Sequence, residues 1–310
     1  MTVNNVTTAR QQAPANQMTA ALWGQLLLLG LIWGGSFFFG AVAVKEIPPL
    51  VLVLLRVGIA AIALQLYLAA LGPSFRLALP YLWPFFGLAI LNNIIPFSLM
   101  FAGQTAIGSG LASVLNATTP VWTLILAGYV FRIETPTWNK LLGVLLGVAG
   151  VVVMIVPGLS AGLGGPVWAK LALIGTALSY AFASIFAKRF SALPPVVVAT
   201  GQLTASTILM IPVIAIWGGA SFMLAASGMT WAAVLALALL STAFAYILYF
   251  NLIANAGASN ASLVTLVVPV SAILLGVLFL NEHLELFEIG GMVLIALALV
   301  AIDGRLLRRR

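Results

Sequence analysis

Two adjacent amides interrupt one of the most apolar stretches of the chain. Asn92 and Asn93 stand in the run LNNIIPFSLM, residues 91–100. A polar group without a hydrogen-bond partner is costly in an apolar medium, so such groups face protein or a wet cavity. Neighbouring residues of a helix lie about 100° apart. We therefore expect one amide to line a cavity and the other to pack against a neighbouring helix.

Other polar and aromatic side chains fall at a similar depth of the predicted helices. Amides and hydroxyls can bind a polar solute, and Trp and Tyr rings can hold its apolar part. The alternative for each hydroxyl is a hydrogen bond that joins two helices, and the alternative for each ring is core packing. The predicted substrate-binding residues are Trp33, Asn92, Asn93, Asn116, Trp122, Tyr180, Ser241, Thr242, Tyr246 and Thr265.

Three prolines interrupt the same helices. Pro96, Pro120 and Pro269 have no N–H, so each leaves a carbonyl about one turn earlier without its helical donor. A polar belt broken by prolines at mid-depth is typical of a binding cavity. We interpret the three prolines as helix breaks or gate elements.

The chemistry that the chain lacks excludes several function classes. Catalysis or proton relay inside a membrane needs deep acids, a Ser–His pair or metal ligands. The chain has no cysteine, and its acids and its one histidine fall in predicted connections or at helix ends: Glu46, Glu134, Glu282, His283, Glu285, Glu288 and Asp303. The sequence thus predicts no catalytic residue, no metal, no cofactor and no enzyme, and it offers no group for a proton relay within the predicted helices.

The composition suits lipid rather than water. Of 310 residues, 63% are hydrophobic and only 6% are charged, and the mean hydropathy is +1.19. A soluble domain of this size would expose more polar surface. Residues 1–20 are polar and have no apolar core, so we interpret them as a disordered cytoplasmic tail rather than a signal peptide.

Ten apolar runs can each form a membrane-spanning helix, which takes about 20 residues. Turn-forming residues separate the runs. We predict an all-α polytopic membrane protein with ten transmembrane helices and a basic tail over 304–310. The predicted spans are 21–44, 50–71, 81–102, 109–131, 140–157, 168–189, 195–217, 230–252, 259–280 and 287–303.

Lysine and arginine are unevenly distributed between the two sides. With ten spans both termini lie on one side, and Lys45 and Lys170 alone fall on the other. The connections and tails on the first side contain Arg10, Arg76, Arg132, Lys140, Lys188, Arg189, Arg305, Arg308, Arg309 and Arg310. This bias predicts a bacterial inner-membrane protein with cytoplasmic termini, and it explains the net charge of +7 without nucleic acid.

The two halves of the chain, 21–157 and 168–303, repeat each other. GSGLASVLNATTP (108–120) aligns without a gap with GASNASLVTLVVP (257–269). The coinciding pairs of this stretch include Gly108 with Gly257, Ala112 with Ala261, Ser113 with Ser262 and Pro120 with Pro269. With one gap, Glu134 further along matches Glu282, and earlier in the chain Pro48–Pro49 matches Pro194–Pro195. Five spans per half is an odd number, so the second half is predicted to be inverted. Inverted repeats place a solute site at their interface and support alternating access, although a repeat is also left by gene duplication alone.

The order of several motifs resembles a known family. They are WGGSF (33–37) in span one, Arg56 in span two, G-x3-A-S-x6-P in spans four and nine, and a glutamate before spans five and ten. Together they resemble the drug/metabolite transporter superfamily over 21–303, in particular its EamA family and the YddG-type exporters of aromatic and other amino acids. The chain departs from a symmetric pattern because Gln202 stands where the first half has Arg56.

Arg56 is the one ionisable residue well inside a predicted span, about a third of the way along it. This depth favours a side chain that snorkels to the interface or caps a neighbouring helix. The functional alternatives are a counter-ion for a substrate carboxylate and a gate contact. A single arginine is a poor match for phosphorylated substrates, which usually meet several cations.

The resemblance and the polar belt together predict an uncoupled transporter that exports amino acids or similar zwitterionic or neutral solutes. The alternatives are a transporter of drugs, of other neutral metabolites or of phosphorylated metabolites, and a membrane scaffold. Gly143-x3-Gly147 in span five is a helix-contact signature that predicts a junction between the two halves or between two subunits.

Overall fold

A computed structural model describes residues 19–132, 138–161, 165–218, 221–256 and 264–303. Every regular element in these residues is helical. The helices are α1 (Ala20–Ala43), α2 (Pro49–Leu71), α3 (Phe75–Gln104), α4 (Ser109–Val130), α5 (Trp138–Ala161), α6 (Val167–Phe190), α7 (Pro195–Trp217), α8 (Gly228–Ala256), α9 (Val264–Leu280) and α10 (Leu286–Asp303), with a short helix, Ser221–Ala225, before α8.

The seven helices α1, α2, α3, α4, α6, α7 and α8 are long and apolar enough to cross a membrane. Three further apolar stretches in the described residues are shorter: Trp138–Met154, Val267–Leu280 and Leu286–Ala301. The predicted tails lie outside the described residues except for positions 19 and 20. Glu134 and the repeat positions Gly257, Ala261 and Ser262 also lie outside them.

The outer surface of the bundle is apolar, as a lipid-facing surface must be. Leu66 and Ile62 on α2 are exposed by 66% and 63%. Trp83 and Trp138 are exposed by more than four-fifths near helix starts, where amphipathic rings meet the lipid headgroups. The chain is therefore a multi-pass membrane protein.

Helices of the first half pack mainly against helices of the second. α1 lies beside α9, α2 beside α7, α5 beside α10, and α6 beside α3 and α4, while α8 contacts α1 and α2. α1 and α9 run in the same direction, since Phe38 contacts Phe279 near their ends and Gly30 meets Val267 near their starts. The core of the molecule is thus the interface between the two halves.

Small residues set the closest helix crossings. A Cβ atom on Gly150 would lie 2.9 Å from the carbonyl oxygen of Gly291, so α5 and α10 touch at these two glycines. Gly147 packs against Val121 of α4, in its own half. A described glycine contact between the halves thus falls at Gly150, three residues after the signature Gly143-x3-Gly147 ends.

Three helices contain π-helical segments. These are Ile90–Ile94 in α3, Leu126–Val130 in α4 and Ala236–Phe244 in α8. The first directly precedes Pro96, and hydroxyls of α6 meet the carbonyls there: Ser179 donates to the Leu91 carbonyl at 2.7 Å, and Thr176 donates to the Pro96 carbonyl at 3.1 Å. The backbone polar groups of this irregular segment are thus satisfied by a helix of the other half.

Carboxylates join helix ends at one end of the bundle, here called the Glu46 end. The Glu46 carboxylate accepts from the backbone N–H and the hydroxyl of Ser227, at 2.6 and 2.9 Å. The Glu282 carboxylate accepts from the backbone N–H groups of Ser109 and Gly110, at 2.6 and 3.0 Å, at the start of α4. Each carboxylate therefore crosses from one half of the chain to the other.

Two ionisable residues near the Glu46 end are more buried than the sequence predicts. Lys170, expected in a connection, is fully buried in the first turn of α6 and donates to the Met154 carbonyl at 2.8 Å. Glu288, expected at an exposed helix end, is 3% exposed. It accepts from the backbone N–H of Glu285 and so caps the start of α10. Packing of α5, α6 and α10 around both residues explains the difference.

Candidate functional site

A cavity of about 300 Å³ lies between the two halves and is lined by helices of both. Cavities of roughly 300 Å³ and more are the size that binds small molecules in proteins. The lining residues are Trp33, Ser36, Phe37, Arg56, Asn92, Met100, Ser113, Asn116, Ala117, Thr119, Tyr180, Ser241, Tyr246, Tyr249, Thr265 and Val268.

The structure brings most of the predicted site residues to this wall, although they come from seven helices. The predicted residues that line the cavity are Trp33, Arg56, Asn92, Asn116, Tyr180, Ser241, Tyr246 and Thr265. Trp33 and Tyr249 lie against each other, with ring centroids 5.2 Å apart. The cavity thus combines amides, hydroxyls and aromatic rings.

Three predicted binding residues do not line the cavity. Asn93 is fully buried and donates to the Ser206 hydroxyl of α7 at 2.9 Å. Thr242 is buried and binds the Arg56 side chain. Trp122 donates from its indole N–H to the Thr118 hydroxyl, one turn earlier in α4. Each side chain donates a hydrogen bond to a hydroxyl of the protein or accepts one from Arg56, and none of the three lines the cavity.

The three predicted prolines do not line the cavity either. Pro96 is buried and follows the π-helical segment of α3, Pro120 restarts α4 after a break at Ala117–Thr118, and Pro269 lies inside α9. At the break in α4, the hydroxyl of Thr118 donates to the Leu115 carbonyl at 2.6 Å. The prolines therefore lie in the helices that carry lining residues, but their own side chains are not part of the wall.

Asn92 forms part of the wall through an amide pair. Its Nδ2 donates to the Gln202 Oε1 of α7 at 2.9 Å. Gln202 is almost fully buried and fixes the orientation of the Asn92 amide. The sequence marked Gln202 only as the replacement for an arginine, because a buried glutamine shows its partner only after α3 and α7 are packed.

The preferred interpretation of Arg56 was wrong. Its side chain is 5% exposed and points into the protein rather than toward a membrane interface. Nε donates to the Thr242 hydroxyl at 3.0 Å, and the guanidinium carbon lies 3.9 Å from the centroid of the Phe97 ring. Arg56 is therefore held between α8 and α3, at the cavity wall.

Some lining residues were not predicted to bind substrate. Phe37 follows Trp33 by one turn, and Tyr249 follows Tyr246 in the same way, so helical periodicity carried a signal for both. Met100 and Val268 gave no signal, because an apolar residue does not stand out in an apolar chain.

The cavity wall is nearly uncharged. Among the described residues it contains one cation, Arg56, and neither a carboxylate nor a histidine. A second cavity, of about 270 Å³ at the Glu46 end, is the one lined by ionisable side chains of this region: Glu282, His283, Glu285 and Glu288. No cluster of His, Cys, Asp and Glu in the described part of the chain could hold a metal ion.

The chain is similar to several curated transporters. It is 30% identical over 276 residues to the uncharacterized inner membrane transporter YedA of Escherichia coli (strain K12), which covers 86% of this chain and 85% of the relative. It is 26% identical over 289 residues to the uncharacterized transporter YvbV of Bacillus subtilis (strain 168), with 90% of both chains covered. An uncharacterized transporter of Archaeoglobus fulgidus is 25% identical over 281 residues and covers 89% of this chain and 96% of the relative.

A solved crystal structure shares the fold, with a TM-score of 0.65 and 20% identity over 94% of this chain and 99% of that chain. The family model of the EamA-like transporters matches residues 19–156 and 167–302. These two stretches contain all the residues that line the central cavity. The chain therefore belongs to the EamA-like transporter family.

Proposed function

We propose that this transporter moves small zwitterionic or neutral solutes, amino acids foremost, across the bacterial inner membrane by alternating access. The observation that carries the proposal is the central cavity between the halves, walled by Asn92, Asn116 and Ser241 on its polar side and by aromatic rings elsewhere. Exposing such a cavity first on one side and then on the other is what a carrier must do. Net export is the direction that the YddG-type resemblance implies.

Ten spans in two inverted repeats are part of the proposal. The family model matches two stretches of similar length, one in each half. The same helix contact occurs twice with the halves exchanged. In the proposed repeat α6 is the counterpart of α1 and α4 the counterpart of α9, and α1 packs beside α9 just as α6 packs beside α4. The π-helical segments of α3 and α8 also fall at corresponding positions. These correspondences support an inverted pseudo-symmetry.

Cytoplasmic termini are proposed from the charge bias. Ten spans place the Glu46 end outside, and there Glu46 meets Ser227 while Glu282 meets the start of α4. Under the ten-span topology the α1–α2, α3–α4, α7–α8 and α9–α10 connections all fall on the same side. The contacts thus support the topology that the lysine and arginine distribution favours.

Uncoupled transport is proposed from the composition of the wall. A proton-coupled carrier usually binds the proton on an acid or histidine that the substrate also senses. In the described residues the cavity wall has neither group. We therefore expect solute to move down its own gradient.

The cavity favours amino acids over the other substrates of the superfamily. Phosphorylated metabolites would need several cations, whereas the described wall has only Arg56. The rings of Trp33, Tyr180, Tyr246 and Tyr249 also suit an apolar drug, which makes neutral aromatic compounds the second candidate.

Counterflow in proteoliposomes tests the proposal. Purified protein is reconstituted with an excess of unlabelled solute inside, and uptake of labelled amino acids, nucleosides, sugars and an aromatic drug is measured. We expect amino acids to exchange fastest and an imposed ΔpH to drive no accumulation. Single Ala variants of Trp33, Asn92 and Tyr246 should raise the half-saturation concentration. Exchange of none of these solutes would support a scaffold, and ΔpH-driven accumulation would exclude uncoupled transport.

A further inference from the structure

Two buried polar atoms in the cavity wall have no hydrogen-bond partner among the described residues. One is Nη1 of Arg56, and the other is Oδ1 of Asn116. They have opposite character, because the guanidinium only donates and the amide oxygen only accepts. Groups of this kind are normally satisfied. Four other residues of the described chain carry a buried atom without a partner, but they do not line the cavity: Asn93, Ser98, Gln104 and Ser109. Arg56 and Asn116 are thus the two such residues that a ligand in the cavity could pair with.

Arg56 is held in a fixed orientation. Thr242 binds Nε at 3.0 Å, and the rings of Phe97 and Phe101 have their centroids 3.9 and 5.8 Å from the guanidinium carbon. These contacts leave Nη1 free at the wall, and no described carboxylate forms an ion pair with the guanidinium. A buried cation without an anion is unfavourable, so an anionic group that enters the cavity gains a charge-assisted hydrogen bond.

Asn116 supplies the complementary contact. It ends the first segment of α4, and its Oδ1 is buried at the wall. An ammonium group has three donors and no acceptor, so it suits an amide oxygen without a donor. The rings of Trp33 and Tyr249, which line the same cavity, offer π faces to a bound cation.

We propose that the cavity binds the head group of an α-amino acid, with the carboxylate on Arg56 and the ammonium on Asn116. The inference rests on the proposed function and specifies its substrate contacts. The single cation fits a carboxylate rather than a phosphate dianion. The side chain of the substrate lies against Tyr180 and Tyr246, which line the same cavity.

Competition in counterflow tests both contacts. Exchange of labelled phenylalanine is challenged with phenylalanine, with phenylalaninamide, which lacks the carboxylate, and with 3-phenylpropanoate, which lacks the ammonium. We expect each analogue to compete at least about tenfold more weakly than phenylalanine, the loss that removal of a charge-assisted hydrogen bond produces. Because this series uses the unmodified protein, folding of a variant cannot obscure it.

Variants assign the contacts to residues. Arg56→Gln should reduce the preference for phenylalanine over phenylalaninamide to less than about threefold, and Asn116→Ala should do the same for 3-phenylpropanoate. Arg56→Lys retains a charge and should keep part of the preference. Lys170→Gln removes another fully buried cation that does not line the cavity, so it should leave both preferences unchanged.

The outcomes separate the inference from the proposed function. If phenylalanine exchanges but the amide and the acid compete equally well, or Arg56→Gln keeps the full preference, the head-group assignment is overturned while transport stands. If no amino acid exchanges but another solute does, the proposed substrate class itself is wrong.

Discussion

Arg56 and Gln202, which the proposed repeat aligns with each other, each form a hydrogen bond with the other half of the chain. Arg56 on α2 donates to Thr242 on α8, and Gln202 on α7 accepts from Asn92 on α3. The two residue pairs thus cross the interface between halves in both directions. Arg56 and Asn92, the two members of these pairs that line the cavity, both belong to the first half.

Thr242 positions the cation rather than binding solute. Thr242→Val keeps the shape of the side chain and removes the acceptor for Arg56 Nε. We expect the free energy of unfolding to fall by about 1.5–3 kcal/mol, as for other hydrogen bonds to charged groups. The half-saturation concentration for amino acids should rise about tenfold, because Arg56 loses its fixed orientation. Thermal unfolding in detergent and counterflow measure the two effects.

Thr242→Ser is the matched control, because it keeps the hydroxyl. It should restore both properties to near the original values. Equal transport by the Val and Ser variants would show that Thr242 does not orient Arg56.

The sequence predicted the polar wall better than the roles of individual residues. Asn92 and Asn116 could be identified, because an amide in an apolar run has few environments available. Arg56 was misjudged, because depth along one helix does not reveal that Phe97 and Thr242 surround the side chain. Trp122 looked equally suitable, but its partner Thr118 is local and appears only when the break in α4 is known.

Glu46 gives the contact between the α1–α2 connection and the start of α8 a pH dependence. The backbone N–H of Ser227, and then its hydroxyl, donate to the carboxylate and lower its pKa from the ordinary 4.5. A lowered pKa means that the contact stabilises the folded protein above the ordinary value and that this contribution is lost as the pH falls through the lowered one.

Glu46→Gln tests this dependence. The variant should be less stable than the original protein at neutral pH, and the difference should shrink as the pH falls below 4.5. Thermal unfolding at a series of pH values measures it. A difference that stays constant with pH would mean that the charge of Glu46 does not contribute.

The crossing of α5 and α10 depends on one glycine of an adjacent pair. A Cβ atom on Gly291 would lie 2.9 Å from the Gly150 carbonyl oxygen, whereas one on Gly290 would meet nothing within 4 Å. Gly291→Ala should therefore destabilise the protein by about 1–3 kcal/mol through overpacking. Gly290→Ala, the control in the same helix, should be neutral or stabilising by up to about 1 kcal/mol. Similar melting temperatures for the two variants would contradict the close crossing.

The apolar runs of the sequence predicted the order of the helices, but they did not predict the π-helical segments within them. The ten runs predicted helices in the order found, since lipid requires apolar segments to satisfy their own backbone. The π-helical segments Ile90–Ile94 and Ala236–Phe244 were not predicted. One additional residue barely changes the composition or the length of an apolar run. The carbonyls of the π-helical segment also bind partners that are distant in sequence, such as Ser179.

At the scale of the whole molecule, the proposed topology predicts which connections face the cell exterior. The chain contains no cysteine, so one introduced thiol is a unique label. Ala225→Cys, before α8, should react with a membrane-impermeant maleimide in intact cells. Ser191→Cys, between α6 and α7, should react only after the membrane is permeabilised. Both positions are exposed. The reverse pattern would place the termini outside the cytoplasm.

The widened turns of α3 and α8 have a consequence for sequence comparison. A π turn accommodates one residue more than an α turn, so everything beyond it is rotated by about 100° relative to an uninterrupted helical wheel. Tyr246 lies beyond the segment of α8, and Met100 lies beyond that of α3. In a relative that lacks one residue at either place, a different set of side chains of that helix would face the cavity, although the composition would be nearly the same.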